Sequence, residues 1–544
     1  MQCPADSTTP PPRARRVLLF GVLAGFVLRL VFIFSGLCDG NVLADDAYYY
    51  FTIAHNIVAG AGPTFDGLAP TNGFHPLYEL LLVPVFGVAR AVSPDPLLPV
   101  HAALALCAAF DAATALLLAT ILGRLGHRSG GTIAAWLWSL SPVSVLLTLR
   151  GLEGAVSAFA VCLTLLVLTA PERPWSRPAP AIRLGLAIGL AFLARTDNGP
   201  LVALAVLAFS VFDPPVRGAT APAARRVAVA GGGTLGGAAI VVAPWLLWNL
   251  ATFGNMVQVS GLAKAHNRSI FGALPELHGA DAVAGWIARL GAPVLFLCRY
   301  LAGEEQRLPR VTFVLLGLTA WVLVFALLLL RRAWQEPRSP LERPLLAFAA
   351  VFTVAHLGFY GFVLGSYVVW YTTVPLLLAT LVIGGIAGGR LAASSSRPAR
   401  LAWCGVLLAI GIAAYANFFQ HVSHGSRARE AEAGRLLRAI HARFPTVRAI
   451  GGFNVGATAY FSTARGGLRV VNLDGLVNNA LYDASRHGRV LEYLEHNVDF
   501  IVMDAPATMR GWLRDGEWDR LIERYPRYGQ TLFYGPRRDE TIRR

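Results

Sequence analysis

From Val17 to Phe419, long apolar runs alternate with short polar stretches whose charges are mostly arginine. A helix needs roughly 17 to 25 apolar residues to cross the hydrocarbon of a bilayer, and many of these runs reach that length. No series of ten-residue segments alternates apolar with polar, so the pattern is not that of an outer-membrane barrel. The runs predict helices at Val17–Gly36, Leu97–Leu122, Ile133–Leu149, Leu152–Ala170, Ile182–Arg195, Gly199–Phe212, Val227–Leu250, Val311–Leu330, Leu345–Leu364, Val368–Ala387 and Leu401–Phe419. A further apolar segment, Leu77–Ala91, is placed partly in the interface, because only an even number of crossings keeps Asp45 and Glu153 on one face. The expected architecture is a polytopic α-helical membrane protein with about eleven transmembrane helices.

The arginines orient it. Arg13, Arg15 and Arg16 precede the first run; Arg173, Arg177 and Arg183, then Arg217, Arg225 and Arg226, then Arg331, Arg332, Arg338 and Arg343, then Arg390, Arg397 and Arg400 separate later ones. Arginine-rich loops face the cytoplasm. This puts a disordered, proline-rich stub, residues 1–15, in the cytoplasm, a membrane domain over residues 16–419 with its first outer loop at 37–76, and residues 420–544 outside. In that tail Val447–Gly451, Leu468–Leu473 and Asp499–Met503 read as strands, with helices near Asn454–Phe461 and Arg489–Asn497, which predicts a small parallel α/β sheet. Gly451, Gly452 and Gly456 resemble a fragment of a phosphate loop without dinucleotide spacing. Asn472-Leu473-Asp474-Gly475 reads first as a turn, at a place in the sheet where an acceptor could also bind.

With 544 residues, 55% hydrophobic and 15% charged, the chain is neither a soluble enzyme nor a single-anchor protein. A net charge of +15 lies in short clusters between apolar runs rather than on one basic face, so no nucleic-acid partner is expected. Arg29 interrupts the first run, and Ser35-Gly36-Leu37-Cys38 lacks the small residue a lipoprotein cysteine needs before it, so that run is read as a retained helix. Cys3, Cys38, Cys107, Cys162, Cys298 and Cys404 show no metal-ligand spacing.

Chemistry concentrates in the first outer loop. Asp45 and Asp46 open the stretch ADDAYYYFTIAHNIVAGAG, and adjacent carboxylates at a bilayer surface are costly to desolvate. Ala47–Ala59 is predicted as a short helix with Asp45 or Asp46 at its N-cap and Gly60 with Gly62 as its stop. Turns follow at Phe65-Asp66-Gly67 and Pro70-Thr71-Asn72-Gly73, then Phe74-His75-Pro76.

The segment from Asp45 to Pro76, with DDAYYYFTIAHNIVAGAG and TNGFHPLYELLLVPVF, resembles the opening of GT-C membrane glycosyltransferases, a superfamily that includes protein O-mannosyltransferases, the aminoarabinose transferase of lipid A and mycobacterial arabinofuranosyltransferases. Leu149-Arg150-Gly151-Leu152-Glu153, Leu193-Ala194-Arg195-Thr196-Asp197 and the region Asn249–Lys264 look like the same kind of protein. The resemblance implies an acidic catalytic base in the first outer loop and a sugar donated by a polyprenyl phosphate.

Moving a sugar from a lipid phosphate to a hydroxyl needs a base, stabilisation of an oxocarbenium-like transition state and cations for the phosphate. Asp45 and Asp46 are the candidate base pair, with Asp45 favoured as base and Asp46 as cap or metal ligand. Asp46 with Glu153 is the candidate site for a divalent metal, Mg or Mn. Lys264, the single lysine among 47 basic residues, together with Arg299 and Arg195, is expected to meet the donor phosphate. His75, Asn72 and Asp197 are the candidate acceptor or sugar ligands, while Glu153 and Asp197 could equally pair with their neighbours Arg150 and Arg195. The expected function is an inverting glycosyltransferase of the cytoplasmic (inner) membrane, acting on a glycan, lipid or protein acceptor. A flippase of lipid-linked sugars, which would carry buried charges in mid-span, and a non-catalytic envelope scaffold are the alternatives.

Overall fold

The computed structural model describes residues 12–36, 42–213, 223–266, 330–364, 368–392, 428–502, 509–514, 516–525, 527–528 and 533–536, with a few single positions between 327 and 415. The runs predicted at Val311–Leu330 and Leu401–Phe419, and Arg299, lie wholly or mostly outside these residues.

The helices are α1 Pro12–Phe34, α2 Asp45–Val58, α3 Pro76–Val92, α4 Leu97–Arg124, α5 Arg128–Leu140, α6 Pro142–Leu149, α7 Gly154–Leu168, α8 Pro178–Ala194, α9 Asn198–Phe212, α10 Ala223–Phe253, α11 Val259–His266 and α12 Glu342–Gly358. After a 3-10 turn, Val369–Thr372, come α13 Thr373–Ala379, a π-helical stretch at Thr380–Ala387 and α14 Gly388–Ala392. Among the described residues five helices are long and apolar enough to cross a membrane, or six if the bent pair α5 and α6 is one span. That pair bends by 50° where Pro142, lacking an N–H, starts the second helix, so Ile133–Leu149 is broken rather than straight. Helices α7, α8 and α9 are apolar but shorter than a full crossing. Helices α8 and α10 touch backbone to backbone: a Cβ on Gly185 would stand 2.1 Å from the Thr234 carbonyl oxygen.

Among the described residues Arg29–Asp111 and Arg390–Glu342 are charge pairs buried between candidate spans. Arg29 on α1 lies 3.3 Å from Asp111 on α4 and donates to Thr148 Oγ1 at 3.0 Å, Ser144 Oγ at 2.8 Å and the carbonyls of Gly25 and Ser139. Every arm of the guanidinium is held by a side chain or a carbonyl of the bundle, so the pair bolts α1 to α4, α5 and α6.

The tail forms a five-stranded sheet in the order β2-β1-β3-β5-β4. Its elements are α15 Ala428–Arg443, β1 Ala449–Gly452, α16 Gly456–Ala464, β2 Arg469–Asn472, α17 Asn479–His487, α18 Val490–Asn497, β3 Phe500–Val502, α19 Glu517–Arg524, β4 Arg527–Tyr528 and β5 Phe533–Pro536. Strands β2, β1 and β3 are parallel, as their sequence suggests, whereas β5 and β4 add an antiparallel edge that the sequence pattern did not indicate.

Aromatic packing joins tail to membrane domain. Tyr48 and Phe51 of α2 and Phe86 of α3 pack against Tyr460 of α16, whose hydroxyl donates to the Pro96 carbonyl at 2.6 Å. Ala263 of α11 enters the tail's own hydrophobic core beside Trp512. The segment 42–76, α11 and the sheet therefore share buried apolar surface, and the candidate site lies where they meet.

Candidate active site

Helix α2 starts two residues earlier than its sequence suggests. Ala44, in extended conformation, takes the N-cap position with no side-chain cap bond, and both aspartates stand in the first helical turn, where negative charge complements the helix dipole. The predicted Asp N-cap is thus not formed, because helix hydrogen bonding already begins at the Ala44 carbonyl, which accepts from Ala47 N–H at 3.1 Å. Gly60 and Gly62 do end the segment, with φ of 85° and 75°.

The two carboxylates point to different surroundings. Asp45 Oδ2 accepts from Gly456 N–H at 2.8 Å and Oδ1 from Ala457 N–H at 3.1 Å, and Oδ1 lies 3.2 Å from Arg429 Nη1. It caps α16 of the tail instead of its own helix. The glycine run that resembles a phosphate loop does hold an anion at a helix N-terminus, and that anion is Asp45.

Asp46 instead lines a cleft of about 540 Å³ with Tyr49, Tyr50, His75, Glu153, Arg195, Ser260, Lys264, Tyr371 and Leu476. Burial, reinforced by the carboxylates of Asp474, Asp45 and Glu153 and opposed by Lys264, pushes the Asp46 pKa up to about 7. Lys264 sits over the Tyr371 ring at 5.5 Å and donates to its hydroxyl at 2.9 Å. Burial works against its charge, but Tyr371 and Asp46 outweigh it and hold the ammonium above its ordinary pKa. Among the described residues Lys264 makes no salt bridge within 4 Å.

Arg195 is fixed by a fork of partners. Its Nη1 meets Glu153 Oε1 at 2.5 Å, Nε donates to Asp197 Oδ1 at 3.1 Å and Nη2 to Tyr360 OH at 2.6 Å. Tyr360 in turn donates to Asp197 Oδ2 at 2.6 Å and stacks on Tyr371 at 4.0 Å. Glu153 therefore pairs with Arg195 on α8's end, not with its sequence neighbour Arg150. Asp197 turns one oxygen to Arg195 and the other to Tyr360 and does not line the cleft, so the structure sets it behind Arg195 rather than among the residues lining the cleft.

His75 lines the cleft with its imidazole Nε2 3.7 Å from Glu153 Oε1. Its Nδ1 accepts from Thr196 N–H at 3.4 Å, and burial depresses its pKa to about 4, so the ring is neutral with its proton on Nε2. Asn72 is not in the cleft. It is buried, its Oδ1 accepts from Val259 N–H at 3.0 Å and Asn479 at 2.9 Å, and its Nδ2 donates to Asn249 at 3.2 Å. With its amide committed on both sides it fastens the first loop to α10, α11 and α17 and has nothing left for a sugar.

The residues present do not fit a divalent ion at Asp46 and Glu153. Glu153 uses Oε1 on Arg195 and Oε2 on the Tyr50 hydroxyl at 3.1 Å, and the Lys264 ammonium already faces Asp46. Among the described residues no three His, Cys, Asp or Glu side chains gather as a metal site.

Tyr371 and Tyr360 are site residues that the sequence did not single out, whereas Asp474 lies in the turn read there as a place where an acceptor could bind. Asp474 follows β2 and accepts from Tyr49 OH at 2.5 Å and from Leu476 N–H at 2.9 Å, so the turn at Asn472–Gly475 holds a carboxyl behind the cleft-lining Tyr49, close enough to raise the Asp46 pKa. Tyr371 and Trp370 look in sequence like ordinary interfacial aromatics at a helix start.

No family model matches the chain, and no curated protein matches it. Solved structures match it in fold. The oligosaccharyltransferase of Archaeoglobus fulgidus in its apo form superposes with a TM-score of 0.55 at 14% identity, covering 97% of this chain and 75% of that one. Its complex with Zn and sulfate gives 0.54 at 14% identity, covering 96% and 73%. Its complex with an inhibitory peptide and a dolichol-phosphate gives 0.51 at 13% identity, covering 98% and 75%. At such identity the likeness is one of fold, and it is the GT-C fold expected from the first-loop motif.

Proposed function

We propose that the chain is an inverting glycosyltransferase that moves a sugar from a polyprenyl phosphate to an acceptor hydroxyl at the outer face of the cytoplasmic membrane. The observation that carries this reading is the pairing, in one cleft, of a buried carboxyl whose pKa is pushed up to about 7 with a lysine ammonium that makes no salt bridge within 4 Å among the described residues. Asp46, as the carboxylate, takes the proton of the acceptor hydroxyl. The acceptor oxygen then bonds to the anomeric carbon from the face opposite the phosphate, the anomeric carbon–oxygen bond breaks, and the polyprenyl phosphate leaves with the electron pair. Lys264, aided by the cleft-facing part of Arg195, neutralises the charge that builds on the phosphate. This assigns the base to Asp46 and a structural role to Asp45, the reverse of the assignment favoured from sequence.

The GT-C fold, a dolichol-phosphate complex in a structure of that fold, and apolar helices that could cross a membrane all support this reading. The flippase alternative gains little from Arg29 and Asp111, whose saturated hydrogen bonding suits a fixed joint better than a moving charge. Membranes carrying wild type or Asp46→Asn, given a panel of radiolabelled hexose and pentose polyprenyl phosphates and cell-envelope acceptors, test it. Transfer by wild type alone is expected, and equal transfer by both would overturn the assignment of the base.

A further inference from the structure

A second cleft, of about 760 Å³, opens on the other side of α2's first turn. It is walled by Asp45, Arg429 and Glu432 of α15, the segment Phe453-Asn454-Val455 after β1, Thr458 of α16 and Val502 at the end of β3. Strand order β2-β1-β3 means that the chain leaves β1 to one side and β3 lies on the other, so the cleft sits at the carboxyl ends of strands at a topological switch point. Crevices there are where open α/β sheets bind ligands. Asn454 has φ of 48°, the one positive value at a residue other than glycine among the described residues, and its side chain is exposed at the cleft. Asparagine tolerates this left-handed backbone, and here it follows β1 and leaves the Asn454 side chain exposed at the cleft wall.

We infer that this second cleft binds a neutral sugar unit of a glycan acceptor, a reading that rests on the glycosyl-transfer function proposed above. Charge argues against an anionic ligand: Arg429 is offset by Asp45, and Glu432 adds a negative charge. The lining is mixed, with Asn454, Thr458 and Glu432 to meet hydroxyls and Phe453, Leu436 and Val455 to meet the apolar face of a sugar ring. A peptide is less suited, because the cleft lies across strand ends and offers no unpaired strand edge for β-addition. Asp45 walls this cleft and Asp46 the first; their Cα atoms are about 3.8 Å apart.

Saturation-transfer NMR on the full chain, in a detergent without a sugar headgroup, tests this with mannobiose and arabinobiose as probes and a neutral serine-containing hexapeptide beside them. Asn454→Gly removes the amide at a backbone position glycine tolerates, and Thr458→Trp fills the cleft. Saturation transfer to a disaccharide is expected in wild type and Asp46→Asn, falling at least fivefold in each cleft variant. No transfer in wild type, an undiminished signal in either cleft variant, or a response to the hexapeptide alone would overturn the inference. No donor lipid is present, so a chain that binds sugar here but transfers none overturns only the glycosyl-transfer reading.

Discussion

Asp45 Oδ2 accepts a hydrogen bond from Gly456 N–H at 2.8 Å, across 411 positions of sequence. A carboxylate on α2 thereby serves as the N-cap of a helix in the tail, and the two aspartates of the pair become unlike. Asp45→Asn should retain measurable transfer, whereas Asp46→Asn should lose it by two orders of magnitude or more, the usual range for a general base. Asp45→Ala removes a cap worth about 1–2 kcal/mol and should lower the melting temperature and expose the tail to protease. Gly456→Val should do the same, since its Cβ would stand 2.2 Å from the Asp45 carbonyl oxygen. Equal loss of transfer in Asp45→Asn and Asp46→Asn, with both proteins stable, would refute the division of roles.

The pH dependence follows from Asp46. Its pKa in the fold, about 7, stands above the ordinary 3.8, chiefly through burial and then through its carboxylate neighbours. The base works ionised, so transfer should rise with pH through about 7 and then level off. Asp474→Asn removes a nearby negative charge, lowers the Asp46 pKa and should move the rise to lower pH. Stability runs the other way: a carboxyl whose folded pKa is raised costs stability as pH climbs from about 4 through about 7. Asp46→Asn should therefore melt higher than wild type at pH 8, with the gap closing towards pH 4. A pH–rate profile unchanged in Asp474→Asn would remove the tail from the tuning of the base.

Lys264 predicts the donor dependence. A charge-assisted contact to phosphate is worth about 1.5–3 kcal/mol, so Lys264→Gln should raise the KM for the lipid donor by roughly 10- to 100-fold while leaving acceptor KM near its wild-type value. Because Glu153 has both oxygens engaged and Lys264 faces Asp46, treatment with EDTA should change the rate less than twofold. A donor KM unaffected by the substitution, or transfer abolished by EDTA and restored by Mg or Mn, would put a metal ion where the lysine is placed here.

Much of this was legible in the chain. Apolar runs located α1, α4, α10 and α12, and the acidic pair with its YYY turn marked the cleft, because burial periodicity and costly charges are written locally. What stayed hidden depends on contacts between distant segments. That Asp45 caps Gly456, that Asn72 is consumed by Asn249, Asn479 and Val259, and that Glu153 prefers Arg195 to Arg150 are facts of tertiary pairing that no spacing encodes. The edge strands β4 and β5 escaped for another reason: β1, β2 and β3 lie within apolar runs rich in Val and Ile, whereas Arg527–Tyr528 and Phe533–Pro536 are short and interrupted by Arg, Gly and Pro.

Arg195 offers the last test, of positioning rather than chemistry. Asp197 and Tyr360 grip it together and also bond each other, a closed triangle of contacts at 3.1, 2.6 and 2.6 Å. Buried groups in one network do not contribute additively, and coupling energies of about 0.5–3 kcal/mol are usual. Asp197→Asn and Tyr360→Phe should each weaken donor use, and the double variant should be little worse than the poorer single one, since either change already opens the triangle and leaves the guanidinium held by Glu153 alone among these carboxylate and tyrosine partners. Acceptor KM should not move, because neither side chain lines the cleft. If Asp197 were instead a sugar ligand, Asp197→Asn would raise acceptor KM and its effect would add to that of Tyr360→Phe. A double-mutant cycle on donor and acceptor kinetics separates these outcomes.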